Sequence, residues 1–283
     1  MNLIIGGIIV LGSVLGGFVL EEGQLMALFQ PYELLIVFGA AFGGFVVANP
    51  PKVVKGSFVA IPRLLAKDPY NKKAYLDLLS LLYKVAIKIR KAGLMSVEQD
   101  LDAPETSELF APFPHIRSNQ PVMDFLIDNL RLIVSGNIAA HDFEALLDTE
   151  IETREEELEK PAHAITSMGD SFPGFGIVAA VLGIVITMGF LGGDPKELGH
   201  HVASALVGTM LGILISYGFV GPLGSAVGHM AKKEIKYFCC IKVFLLAIVA
   251  GTAPILSVEY ARRGLYSDVK PGFLELEAHV KRK

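Results

Sequence analysis

The chain has 283 residues, of which 52% are hydrophobic and only 19% charged, and its mean hydropathy is +0.50. Soluble globular domains carry about 25% charged residues, so the composition points to a membrane protein with room for a modest water-facing domain. The net charge of −4 is too small and too mixed for a nucleic-acid partner, and Cys239 and Cys240 are adjacent, without CxxC or Cys/His metal spacing.

Residues 2–20 (NLIIGGIIVLGSVLGGFVL) form the first stretch of spanning length. No basic region precedes them and no A-x-A site follows, so a retained span is expected rather than a cleaved signal peptide. The second stretch, 34–49, has 16 residues and is stopped by Pro50-Pro51. A span needs about 20 apolar residues for a ~30 Å core. The second is therefore expected to borrow Pro31 and Tyr32 at the outer interface, or to thin the bilayer.

A helical, cytoplasmic domain is expected over 50–171. Asn71 predicts an N-cap for a helix through Lys91, with Gly93 just past its end. Leu78, Leu82, Val85 and Ile89 form one apolar stripe, while Lys84, Lys88 and Lys91 share a face expected to be solvated. An acid- and proline-rich linker is expected at 98–121, then helices over Val122–Val134 and Ala139–Lys160. The third and fourth spans are expected at 172–191 and 202–222.

Val243–Val258 is a fifth apolar stretch, 16 residues long, with Gly251 and Pro254 inside it. Charge decides against its spanning. Lys plus Arg number 0 in 21–33, 14 in 50–171, 1 in 192–201 and 10 in 223–283. The positive-inside rule then places 50–171 and the tail in the cytoplasm, which requires an even number of spans. The expected fold is all-α and polytopic. Transmembrane helices occupy 1–49 and 172–222, a cytoplasmic helical domain 50–171, and a cytoplasmic helical tail 223–283, with both termini inside.

No phosphate-binding loop, catalytic triad or metal cluster stands out, so neither enzyme, cofactor nor metal site is expected. His200-His201 fall in a predicted outer loop and read as solvated residues; the cysteine pair reads as reduced packing residues. In the fourth span Ser204, Gly208, Gly212 and Ser216 recur every fourth residue, a ridge of small side chains along which another helix can approach closely. The third span has Gly176/Ala180 and Ala179/Gly183, the second Gly39/Gly43 and the first Gly12/Gly16. None of the four predicted spans contains Asp, Glu, Lys, Arg or His. Ion relays across membranes use ionisable groups, so a partner is expected to supply the titrating residue.

The segments FPGFGIVAAVLG (172–183) and ALVGTMLGILISYGFVGPL (205–223) resemble the third and fourth spans of the MotA stator family, within the MotA/TolQ/ExbB proton channels. RKAGLMSVE (90–98) is similar to that family's charged loop motif, and VEYARRGLYSDVKPGFLELE (258–277) to its tail. The resemblance covers essentially the whole chain. It implies a subunit of the bacterial inner membrane, embedded in lipid. Five such chains would surround two copies of MotB, whose single span carries the ion-binding aspartate. The complex would convert ion flow into torque on the rotor protein FliG. Carried over, Arg90 and Glu98 match rotor-contact positions, with Glu150 in the same loop. Pro173 and Pro222 match the prolines that couple ion flow to movement. Ala180 and Thr209 would lie near the aspartate, on spans lining the ring's interior. Sodium-driven relatives have threonine at the position of Ala180, so H+ is the expected ion and Na+ the alternative. Other readings are an ExbB/TolQ-like energiser of another envelope system, which typically has three spans, a self-contained channel or transporter, and a membrane scaffold.

Overall fold

A computed structural model describes residues 2–136 and 138–282. Helix α1 (Asn2–Leu20) is followed by a 3-10 turn at Leu25–Leu28, α2 (Pro31–Ala48) and α3 (Pro51–Arg63). Then come α4 (Lys72–Ala92), α5 (Glu98–Asp102), α6 (Pro114–Arg117), α7 (Gln120–Ser135), α8 (Ala140–Met188) and α9 (Pro195–Ile215). A π turn at Ser216–Val220 leads into α10 (Gly221–Val249), and α11 (Pro254–Arg263) and α12 (Phe273–Arg282) complete the chain. No strand occurs among the described residues. Among the described residues four helices are long and apolar enough to cross a membrane.

Two compact units emerge, Met1–Lys67 with Glu157–Met230, and Asp68–Glu156 with Ala231–Lys283. This division differs from the sequence ranges. The first unit takes in α3 and the 157–171 stretch, because the acidic helix expected at 139–160 and the span expected at 172–191 are one unbroken helix, α8. Pro161 and Pro173 lie inside it rather than at breaks.

The spanning unit is built on stripes. Glu33, Val37, Ala41 and Phe45 of α2 recur every fourth residue and are all buried. Val37 and Ala41 join Phe172 and Ala179 of α8 in one cluster, and Ala60, Ala162, Ile165 and Val227 form a second. Helix α1 is mostly exposed, as an apolar span facing lipid would be.

The second unit has a large-side-chain core. Asn71 caps α4 by accepting from the Ala74 amide at 3.1 Å, and Gly93 ends the helix at φ +82°, where a side chain would be strained. Leu78, Leu82 and Val85 are fully buried, as their stripe predicts, while Ile89 is half-buried. The 98–121 stretch is not a linker: Leu101, Phe110, Phe113 and Ile116 are buried in the core. Its acid is engaged as well. Asp100 accepts from Lys88 at 2.5 Å and from Ser107 at 2.7 Å, so Lys88, still partly exposed, is also an ion-pair partner. The fifth apolar stretch breaks at Gly251 (φ +69°), and Phe244, Leu245 and Val258 pack in this unit's core. Cys240 is buried and Cys239 half-buried, both as free thiols whose titration burial pushes up.

Candidate functional site

The spans meet along a seam of small residues. A methyl added at Gly183 would lie 2.8 Å from Ala205 Cβ, and one at Gly176 3.0 Å from the Gly208 carbonyl. At Gly212 it would come within 2.6 Å of the Phe172 carbonyl, and at Gly169 within 3.1 Å of the Gly221 amide. Positions therefore pair antiparallel along α8 and the α9–α10 helix, backbone against backbone. Such approach maximises dispersion contact where surrounding lipid removes any apolar-transfer gain.

The seam supplies what the spacing left open, namely which helices meet along the row. The row Ser204, Gly208, Gly212 and Ser216 is occupied within the chain, by α8 and by α2, so it is not free to receive a partner helix. Gly176 and Gly183 are the other half of the same contact. By contrast Gly12, Gly16, Gly39 and Gly43 face open space.

The π turn keeps the seam in register. A strict four-residue row would continue from Ser216 to Val220, yet the next backbone contact is at Gly221, five residues on. The Gly221 amide donates to the Ser216 carbonyl, the five-residue step of a π turn. Pro222 follows directly and has no amide hydrogen, which removes the ordinary helical bond to Gly218 and leaves the turn free to widen. Thus Pro222 sits at a local irregularity of the backbone, whereas Pro173 sits in a continuous helix, half-buried beside Phe172.

Ala180 and Thr209 are both half-buried on facing helices. Thr209 Oγ1 donates to the Gly176 carbonyl at 3.4 Å, one turn from Ala180 on α8. The outer flanks of both helices are apolar and exposed, at Ile177, Val181 and Ile184 on α8 and at Leu206, Ile213 and Tyr217 on the fourth span.

The sequence reading missed one ionisable group. Helix α2 begins at Pro31, in the first-turn position that suits proline, so Glu33 lies inside the span and not in a loop. It is 9% exposed, and its Oε1 accepts from Ser204 Oγ at 2.5 Å. Its Cγ lies 3.3 Å from where a Gly208 methyl would be. The expectation that no span holds an ionisable residue is thereby overturned. The readable signal was a proline at N1 with an acid two residues on, which favours the positive end of the helix dipole. His200 and His201 likewise fall on helix α9, not in a loop; His201 stacks on Phe190 with ring centres 4.6 Å apart. No group of three metal-binding side chains occurs among the described residues.

Three charged positions lie in the second unit. Arg90 is exposed in the last turn of α4 and Glu98 is exposed in the first turn of α5, on either side of the Gly93 turn. Glu150, exposed on α8, accepts at 3.1 Å from the buried Asn129 on α7, and α7 also packs on α5.

Residues 4–93 match the family description "Motility protein A N-terminal", and residues 117–238 match "MotA/TolQ/ExbB proton channel family". Motility protein A of Salmonella typhimurium is 45% identical over 281 residues, covering 99% of this chain and 95% of that protein. The Escherichia coli K12 protein of the same name gives the same figures. Chemotaxis protein LafT of Vibrio parahaemolyticus is 35% identical over 98% of this chain and 97% of its own length. The structure of C. jejuni MotAB superimposes with a TM-score of 0.77 at 20% identity, covering 94% of this chain and 96% of that one. The Bacillus subtilis flagellar MotAB stator complex gives 0.70 at 22%, over 94% and 97%. At these identities the two structures establish a shared fold.

Proposed function

This chain belongs to the motility protein A family, and from that premise we propose the mechanism by which it serves as a flagellar motor stator subunit. It is a membrane protein of the MotA/TolQ/ExbB proton channel class. The single observation that carries the mechanism is the α8–α9 seam. Because the small residues lock those two spans together in one chain, the pair moves as a rigid piece, and its exposed flank beside Ala180 and Thr209 is the surface offered to a partner.

The partner in this reading is MotB, with five copies of this chain around a MotB dimer. Protonation of the partner's aspartate removes a charge that is costly at the bilayer centre and lets the ring step past it. Thr209 already gives its hydroxyl to Gly176, and Ala180 offers no oxygen, so the flank is poor in ligands for a dehydrated sodium ion. H+ is the ion proposed. The π turn before Pro222 is the place where the span can flex toward the rest of the chain, with Pro173 on the facing helix. Arg90, Glu98 and Glu150 would meet FliG, with the 68–156 stretch and both termini in the cytoplasm.

The test is complementation in cells lacking their own motility protein A but retaining MotB. Swimming should be restored, should collapse with a protonophore at constant sodium, and should be impaired by Arg90→Glu with Glu98→Lys. Membrane-inserted chain that never restores swimming would overturn the stator mechanism; speed that tracks sodium and survives the protonophore would overturn the proton assignment.

A further inference from the structure

Glu33 is the one buried ionisable side chain of the spanning unit among the described residues, at 9% exposure, and its Oε2 has no hydrogen-bond partner. Ser204 Oγ stands 2.5 Å from Glu33 Oε1 and 3.0 Å from Gln30 Oε1. A serine hydroxyl has a single proton to donate. The Gln30 amide is fixed in orientation, because its Nε2 donates to the Ala27 carbonyl at 3.1 Å and a flipped amide would set two oxygens together. With an ionised carboxylate, therefore, two acceptor oxygens compete for one hydroxyl proton, and the buried Oε2 is left bare. Leaving such a charge without partners is costly.

One added proton completes the set. The Glu33 carboxyl donates to Ser204 Oγ, Ser204 donates to Gln30 Oε1, and Oε2 becomes a neutral carbonyl oxygen. When the proton leaves, only the Ser204 O–H turns, from Gln30 to the carboxylate. No covalent bond other than the carboxyl O–H forms or breaks.

We propose that Glu33, Ser204 and Gln30 form a proton-loading site of this chain's own, a relay on the ion's route. It rests on the stator reading and adds to it a titrating group in each subunit besides the partner's aspartate. Ser204 is five residues from Thr209 along α9, about 7.5 Å in axial rise, so the relay sits at the end of the span pair beyond the Ala180–Thr209 level. The ionisable groups of the elements packed on it are His200, His201, Glu197 and Lys196 of α9 and Tyr32 of α2. The spanning parts of α8 and α1 and the Leu25–Leu28 turn carry none.

Proton uptake into vesicles containing the whole complex with MotB, followed with a pH-sensitive dye across a series of external pH values, tests this. Glu33→Gln copies the shape of the neutral acid and can still donate to Ser204, so the protein should remain in the membrane. Uptake should fall about a hundred-fold or more, the lower end of what losing a positioned proton-transfer group costs, and part of its pH dependence should vanish. Glu33→Asp should recover some of both. Wild-type uptake with an unchanged pH profile in Glu33→Gln would overturn the proposal. Should that variant fail to insert, dicyclohexylcarbodiimide, which attacks protonated buried carboxyls, decides on the unsubstituted complex: an adduct mapped to Glu33 sustains the relay and its absence overturns it. Failure of the stator mechanism itself would show differently, as no uptake by the unsubstituted complex.

Discussion

In the spanning unit the tightest contacts are between backbones, where Gly176 and Gly212 leave no space for a methyl group. In the second unit they are between large side chains: Phe110, Phe143, Phe238 and Phe244 are all buried to within 1%. Phe125 and Phe238 meet edge to face at 5.1 Å, and Tyr237 lies about 5 Å from both Tyr70 and Tyr75. The charges differ as well. Lys88–Asp100, Lys233–Asp68, Arg154–Glu234 and Lys242–Asp148 tie the second unit together. The difference follows from the surroundings. Against water, apolar area earns stability by being removed from solvent, so bulk is favoured. Against lipid there is no such gain between helices, and closeness takes its place.

That contrast can be broken by substitution, with the melting of the detergent-solubilised full chain as the measure. Truncation should hurt the second unit most. Phe244→Ala is expected to cost about 3–5 kcal/mol, the range for an aromatic removed from a closed core. In the spanning unit enlargement should be the harmful direction. Gly212→Ala must displace the Phe172 backbone and is expected to cost about 1–3 kcal/mol, as overpacking does. Gly12→Ala, which faces open space, should stay within about 0.5 kcal/mol. Equal effects at Gly212 and Gly12 would remove the closeness argument altogether.

Lys88→Met tests the ionic part of the contrast. Asp100 would keep only its Ser107 bond, and a loss of about 1 kcal/mol is expected, since Lys88 is itself partly exposed. The smallest effect depends on pH. Arg262, and then Arg263, hydrogen-bond Glu259 and hold its carboxyl down at about 2. A depressed carboxyl contributes stability that is fully present above the ordinary glutamate range and is lost as pH falls toward 2. Glu259→Gln should therefore melt lower than the parent at neutral pH, and the two curves should converge in acid. Curves that stay parallel would mean that the Glu259–Arg262–Arg263 cluster adds nothing to folding.

Much of this was legible beforehand. Asn71 and Gly93 mark the ends of α4 because capping depends on neighbours within a turn. The Leu78, Leu82, Val85 stripe gives the buried face because helical periodicity is likewise local. The row from Ser204 to Ser216 announced a close helix contact. Its partner was not announced, and the structure supplies α8 and α2. The 98–121 stretch misled because its prolines and acids outweighed Leu101, Phe110 and Phe113, whose burial depends on α4 and α7 being present to receive them.

Four spans, an all-helical chain and the small-residue ridge were determined by the sequence alone, since apolar run length and residue spacing are properties of consecutive residues. Only the tertiary structure decided how each helix is turned about its own axis. That rotation brings Ser204 to Glu33 across 171 residues of chain, and sends Gly212 against Phe172 instead of outward. It is set by the joint packing of faces distant in sequence, which no local pattern encodes. An acid at the start of α2 could be seen in the sequence; its burial and its single shared hydroxyl proton come from that rotation.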